Sequence, residues 1–358
     1  MRYVPIGCIR ETMVLGKSIY GSDGQLLLTK GTVLNDKYKS TIRQLGFSGV
    51  YIKDNLSDEI EIESVITDEL RRKTIAKVKD VFLAVDDSIG SRDEKINELR
   101  NIVDTIMKEL LANENLMINM IDLKFFDEYT YQHSVNVGIL AMVIGVAYGL
   151  KKQDIYNLGL SALLHDIGKV FIDKDILNKP GRLTDEEYEI MKKHPKLGYE
   201  YLKNNFHLPT LVNLGSLDHH EKVDGTGYPN GKVGDEISLF GKIISLVDVY
   251  DALTSERPYR SALLPSEAVE YLMGGTDTYF DHEIIKIFTT VVAPYPLGTC
   301  IKLSNGYSGI VVENFPYASL RPKVKAFRYM ERDVEPFIID LSCDKNYLNT
   351  TIEKIVYI

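Results

Sequence analysis

Cysteine is scarce in this 358-residue chain: only Cys8, Cys300 and Cys343, scattered, odd in number and without a C-x-x-C pair. A disulfide framework is therefore not expected, and the thiols are read as reduced, in a cytosolic protein. Long apolar runs are missing too. The longest, around Gly138–Ala147, is interrupted by glycine and too short to span a bilayer. The opening residues, Met1-Arg-Tyr-Val-Pro-Ile6, lack the apolar core of a signal peptide. No membrane anchor is expected. Nor is there an excess of positive charge. The formal net charge is -9, which argues against broad binding of nucleic acid or anionic membranes. An anionic substrate must then be drawn by a local positive site. Residues 1–55 hold no phosphate loop and no aspartate cluster of a phospho-receiver domain, and the chain has no internal repeat.

What is present is an ordinary composition, 44% hydrophobic and 26% charged, in a chain long enough for two or three domains. Residues 1–57 read as a small α+β module. Thr12–Tyr20 and Gln25–Thr29 are expected as strands around a Gly21–Gly24 turn, followed by a helix from Asn35 to Leu45 closed by Gly46, and a strand at Val50–Ile52. Residues 58–119 contain no proline. Leu70, Ile75, Val78, Phe82 and Val85, then Ile96, Leu99, Val103, Ile106 and Leu110, recur at helix spacing. Two long helices broken at Gly90-Ser91 are expected, serving as a connector, a dimerising pair, or both.

Residues 120–296 read as helix after helix. The expected helices are Tyr129–Tyr148, ended by Gly149, then one capped by Asp154 that stops at Gly168, and one opened by the Thr184–Glu187 capping box and ended at His194 by Pro195. Pro209 opens the next, Ile237–Ser255 follows, and Asp281–Val292 closes the set. Residues 297–358 are β-rich, with Asn305-Gly306 as a turn, and are expected as a small sheet or barrel packed on the helical domain. The fold class is thus mainly α: an all-helical domain between a small α+β N-terminal module and a small β-rich C-terminal subdomain.

The chemistry gathers in the helical domain. Ser161-Ala-Leu-Leu-His-Asp-Ile-Gly-Lys-Val170 ends an apolar helix pattern in adjacent His165 and Asp166. An imidazole beside a carboxylate able to bridge two cations suits zinc, iron or manganese rather than a calcium cage. His133, His194, His219 and His220 share the domain, as does Asp248. Helical bundles build metal sites from side chains that face inward from several helices. Five imidazoles and two carboxylates can satisfy two metals, with Asp166 the natural bridge. His207 and His282 have no such company and read as surface or packing residues. The segment His219-His-Glu-Lys-Val-Asp-Gly-Thr-Gly-Tyr-Pro229 places Asp224, Gly225, Gly227, Tyr228 and Pro229 in a tight turn directly after the paired histidines. It is expected to wall the same cleft.

His-Asp-Ile-Gly-Lys at 165–169, His-His-Glu at 219–221, Asp-Gly-Thr-Gly-Tyr-Pro at 224–229 and Asp251-Ala-Leu-Thr-Ser-Glu-Arg-Pro-Tyr-Arg260 resemble the signatures of the HD-GYP family, in order, over roughly residues 120–296. Tyr129-Thr130 before His133, and Leu177-Asn-Lys-Pro-Gly-Arg-Leu-Thr184, are similar as well. The resemblance implies an all-helical phosphohydrolase that cleaves cyclic dinucleotides, chiefly cyclic di-GMP, at a non-haem iron or manganese centre. It implies one metal among His133, His165, Asp166 and Asp248, and a second among His194, His219 and His220, with Asp166 shared. It gives Lys169 the scissile phosphate, and Arg257 and Arg260 the substrate's phosphates. Some members carry a glutamate, which helps hold a third metal, four residues before the first motif histidine. Here Tyr129 stands there, a poor ligand when protonated, and Glu128 faces roughly 100° around the helix. Two metals are therefore expected. Five nitrogen donors against two carboxylates favour iron over manganese. The expected partners are a cyclic dinucleotide, a cyclase-domain protein and a second copy through 58–119. The expected product is the linear dinucleotide, with a second cut on to GMP left open. 3′,3′-Cyclic GMP-AMP as substrate and a non-catalytic binding module are the alternatives.

Overall fold

The computed structural model describes the chain except residues 22–24, 46, 48, 63, 113–116, 118–128, 256–261 and 358, and the side chain of Tyr129. In chain order the main elements begin with β1 (Arg2–Pro5), β2 (Val14–Leu15), β3 (Ile19–Tyr20), β4 (Leu26–Leu28), α1 (Asp36–Gln44) and β5 (Gly49–Lys53). Then come α2 (Asp68–Leu83), α3 (Ile89–Ala112), α4 (Tyr129–Ala147), α5 (Lys152–Leu164), α6 (Lys174–Leu177), α7 (Asp185–Met191), α8 (His194–Asn205), α9 (Thr210–Asp218), α10 (Leu239–Thr254), α11 (Pro265–Gly274) and α12 (His282–Val291). The chain closes with β6 (Cys300–Leu303), β7 (Tyr307–Glu313), β8 (Lys323–Tyr329), β9 (Arg332–Asp340) and β10 (Ile352–Ile355). The mainly α class holds.

Two compact units emerge. One combines Met1–Ser64 with Val292–Ile358; the other combines Val65–Leu116 with Tyr129–Val291. In the first, β1 and β2 flank β5 in an antiparallel sheet, and β10-β6-β7-β8-β9 form a second antiparallel sheet. The two ends of the chain share a core: Tyr51, Ile60 and Ile62 pack with Cys300, Ile310 and Phe327. The linear division at residues 57 and 297 separates segments that burial joins. β1 has no local turn to announce it, because its partner β5 lies some fifty residues away. The cap at Asn35 is as expected, its side chain accepting from the Tyr38 N–H.

In the helical unit, the stripes on α2 and α3 are buried within this chain: Leu70, Val78, Val81 and Phe82, then Ile96, Leu99, Val103, Ile106 and Leu110. A dimer through this pair would have to use its outer faces. The break between the two helices falls at Ala84–Ser88, not at Gly90-Ser91; Asp87 there accepts from Ser91 Oγ at 2.9 Å and Lys95 Nζ at 2.7 Å. Asp154 lies within the first turn of α5, whose N-cap is Lys151. An acid there suits the positive end of the helix without capping it. Gly149 ends the preceding helix with a φ of 81°, a conformation natural to glycine. No described helix is long and apolar enough to cross a membrane.

Candidate metal centre

The apolar helix α5 is buried on all sides at its C-terminal half, and it delivers His165 as its C-cap. A short 3₁₀ turn, Ile167–Phe171, follows and carries Asp166 at its start. Gly168 explains why this turn can lie where it does. A Cβ there would fall 1.9 Å from the His194 carbonyl oxygen and 2.6 Å from the Gly198 nitrogen. Only a hydrogen fits between the turn and α8. His194 thus opens a helix rather than ending one, with Pro195 in the first turn, where its missing N–H costs nothing. His219 caps the C-terminus of α9, so the chain leaves helical geometry as His220 follows. Both rings approach His194, with centroids 5.3 and 5.0 Å from it. α4 supplies His133, and α10 supplies Asp248.

Asp166 sits at the middle, fully buried. Its Oδ2 lies 3.3 Å from His165 Nε2 and 3.9 Å from His133 Nε2. Its Oδ1 lies 3.3 Å from His194 Nε2 and 3.8 Å from His219 Nε2. Each oxygen therefore faces its own pair of imidazoles. Asp248 Oδ1 is 3.0 Å from His133 Nε2. Two groups, His133–His165–Asp166 and His194–His219–His220, have potential ligand atoms within 4.8 Å of one another. All seven residues expected from the sequence are thus gathered. Lys169 joins them, its Nζ 2.5 Å from Asp166 Oδ2.

The ring orientations follow from simple accounting. Nδ1 of His165, His194 and His219 lies 2.7–2.8 Å from the carbonyl oxygen three residues earlier, of Ala162, Met191 and Ser216. A carbonyl can only accept, so each Nδ1 carries the proton and each Nε2 presents a lone pair inward. Nε2 of His194 and Nε2 of His219 are then 3.2 Å apart, lone pair toward lone pair. Among the described residues, His165 Nε2 and Asp166 Oδ1 have no hydrogen-bond partner. Buried donors so arranged fit a cation.

Electrostatics agree. Burial opposes ionisation of Asp166, yet Lys169 and His165 hold its carboxyl well below the usual range. Burial, with His220 beside it, pushes the His219 imidazole well down, and burial with His194 pushes His220 down to about 3. These rings stay neutral, as ligands must. Burial opposes charge on His133 too, but its hydrogen bonds to the accepting carboxylates of Asp248 and Asp251 lift it to about 9.

The loop expected to wall the cleft packs as expected against it: the Tyr228 ring stacks on His220 at 4.7 Å. Gly225 has a φ of 82°, and a Cβ on Gly227 would meet the Lys222 nitrogen at 2.3 Å. Asp224 accepts from the Thr226 N–H and hydroxyl. Sequence reasoning missed Glu221, read only as a motif letter. It is buried, and accepts from the N–H groups of Asn230 at 2.7 Å and Lys232 at 3.0 Å. Glu221→Ala is expected to cost about 2–4 kcal/mol, since two charge-assisted bonds are lost and their donors stranded. Thermal unfolding checks the loss, and limited proteolysis should cut the loosened loop first. Also missed was Asp251, one turn after Asp248, whose Oδ2 lies 2.7 Å from His133 Nδ1. Its spacing from Asp248 was the available signal. Arg257 and Arg260 lie outside the described residues. His207 and His282 stay apart from the cluster; His282 opens α12 at the surface.

A helical unit that turns histidines and aspartates inward in this way has the His/Asp arrangement of an HD domain, and the cluster could hold metal ions. Residues 115–284 match the HD domain family, and the Gly-Tyr-Pro loop at 227–229 resembles that of its HD-GYP branch. "Cyclic di-GMP phosphodiesterase PA4108" of Pseudomonas aeruginosa is 35% identical over 276 residues, covering 76% of this chain and 64% of that protein. "3'3'-cGAMP-specific phosphodiesterase 3" of Vibrio cholerae is 39% identical over 155 residues, covering 43% of this chain and 34% of that protein. The chain thus spans under two thirds of either relative. Among solved structures, Bd1817, an HDG"Y"P protein from Bdellovibrio bacteriovorus, aligns with a TM-score of 0.47 at 17% identity, over 80% of this chain and 97% of that one.

Proposed function

We propose that the chain is a metal-dependent phosphodiesterase that opens cyclic di-GMP to the linear dinucleotide. The observation that carries this reading is the division of Asp166: one carboxylate oxygen toward His133 and His165, the other toward His194 and His219. His133, His165, Asp166 and Asp248 would hold one ion, and His194, His219 and His220 the second, with Asp166 bridging. Iron is the first choice and manganese the next, on donor chemistry. Bound there, two such ions supply Lewis acidity, neutralise phosphate charge and lower the pKa of water.

The chain's own groups do the rest. Nδ1 bonds keep four imidazoles from rotating, to a backbone carbonyl in His165, His194 and His219 and to Asp251 in His133. Lys169, held against Asp166, has an ammonium with three donors and can also reach a non-bridging phosphate oxygen. Burial pushes the Tyr228 hydroxyl far above its usual value, so it stays protonated beside His220. Arg257 and Arg260 would grip the substrate's phosphates bidentately. A cyclase-domain partner at the Gly-Tyr-Pro face, a homodimer through 58–119 and a cytoplasmic setting belong to the same proposal.

The relative from Vibrio cholerae named for 3'3'-cGAMP makes that dinucleotide the second candidate substrate. The test is anaerobic loading with iron(II) or manganese(II), elemental analysis, and parallel assays of the two cyclic dinucleotides. Two metals per chain and release of linear dinucleotide from cyclic di-GMP are expected. Turnover of the mixed dinucleotide alone would transfer the substrate assignment. A fully loaded protein that binds both and cleaves neither would be a binding module.

A further inference from the structure

A buried arginine far from the motifs ends up connected to a metal ligand. Arg71 lies on α2, outside the segment that matches the HD domain family. It is only 3% exposed. Its Nη1 donates to Asn136 Oδ1 at 2.9 Å. Asn136, on α4, donates from Nδ2 to Asp251 Oδ1, also at 2.9 Å. The other oxygen of Asp251 lies 2.7 Å from His133 Nδ1. Asn136, Asp251 and His133 are all buried.

The polarity of this series is fixed at both ends. A guanidinium can only donate, and a carboxylate can only accept. The Asn136 amide between them has one allowed orientation; flipped, it would set NH₂ against a guanidinium and oxygen against a carboxylate. With Oδ1 occupied by Asn136, Asp251 presents Oδ2 to His133. That bond sets the plane of the ring and aims Nε2 toward Asp248 and Asp166. A buried guanidinium also pays a desolvation cost that a well-packed apolar side chain would avoid. Packing alone does not call for an arginine at this position.

We propose that Arg71 is a positioning residue of the metal centre, acting through Asn136 and Asp251 on the ring of His133. This rests on the metal-binding reading of the site. It makes α2, the first helix after Met1–Ser64 in the chain, part of the structure that holds the ligands. A displacement of α2 then changes metal affinity without touching a ligand.

The test uses the full chain with Arg71→Met, Arg71→Lys and Asn136→Ala, and Lys73→Met on the exposed face of α2 as control. Circular dichroism establishes folding. Competition with a chelator reads iron(II) and manganese(II) affinity, and ring nitrogen NMR shifts read His133 in metal-free protein. Arg71→Met should weaken metal binding about 10–100-fold, the range for groups that orient ligands. It should shift the His133 ring signals, and lower kcat at limiting metal with little change in KM. Arg71→Lys keeps the charge without the planar fork and should recover part of the loss. A folded Arg71→Met with parental affinity and parental His133 signals would overturn the proposal. Should Arg71→Met not fold, Asn136→Ala decides by the same two readings. If the parent itself takes up no metal, the phosphodiesterase reading fails, while the metal-free His133 signals still judge the relay.

Discussion

Replacing Asp166 by alanine is expected to lower phosphodiester hydrolysis by at least about a thousandfold, the scale seen when a charge-stabilising group at a reacting centre is removed. The size follows from where the carboxylate stands. Its two oxygens lie 3.3 Å from His165 Nε2 and 3.3 Å from His194 Nε2, on opposite sides. Asp248 makes its close contact with His133, at 3.0 Å, while His220 and His165 act on it through charge. The substitution also strips Lys169 of the oxygen 2.5 Å away that fixes its ammonium. Two readings separate these effects. Elemental analysis should find metal content falling in both halves, and activity should not return at high metal concentration. Asp166→Asn keeps the shape and one acceptor but loses the charge, so it should retain partial metal binding and little activity. An alanine variant that still held two ions and turned over at the parental rate would remove Asp166 from the mechanism.

The donor types of this centre were legible in the sequence because metal chemistry restricts them to few residues. Local capping was legible for the same kind of reason. Thr184 and Glu187 form the expected box, with the Thr184 N–H donating to Glu187 Oε2 at 2.7 Å. Where a residue type serves two opposite purposes, the sequence misleads. Proline stops a helix from within but starts one in the first turn, and Pro195 does the latter. Gly90 reads as a break, yet it falls inside the first turn of α3, where glycine costs little. The strand β1 and the common core of the two ends depend on pairings far apart in the chain, which periodicity cannot express. Arg71 is hidden most deeply. One positive charge on a charged helix looks solvated until the fold buries it against Asn136.

Gly168→Ala tests how the centre's two sides are brought together. The added Cβ would stand 1.9 Å from the His194 carbonyl oxygen, 2.6 Å from the Gly198 nitrogen and 2.9 Å from the His194 carbonyl carbon. All three are backbone atoms, so no rotamer change relieves the clash. The 3₁₀ turn and the start of α8 must separate. Overpacking of this kind costs about 3 kcal/mol, near the upper end of the usual range, and should lower Tm by roughly 5–10 °C. The functional loss should exceed the loss of stability. As α8 moves, His194 Nε2 leaves Asp166 Oδ1 and His219 Nε2, now 3.3 and 3.2 Å away. His133 and His165 do not depend on that contact. The variant should therefore keep the ion held by His133, His165, Asp166 and Asp248 while losing the other, with stoichiometry falling from two toward one. Gly198→Ala is the matched control. Its Cβ would meet the Ser216 hydroxyl at 2.7 Å, a side chain that can turn only by giving up its 2.9 Å bond to the His165 carbonyl, and Gly168 only at 3.1 Å. It should lose less stability and keep both ions. Equal metal content in Gly168→Ala and the parent would mean that α8 can adjust without carrying His194 out of the centre.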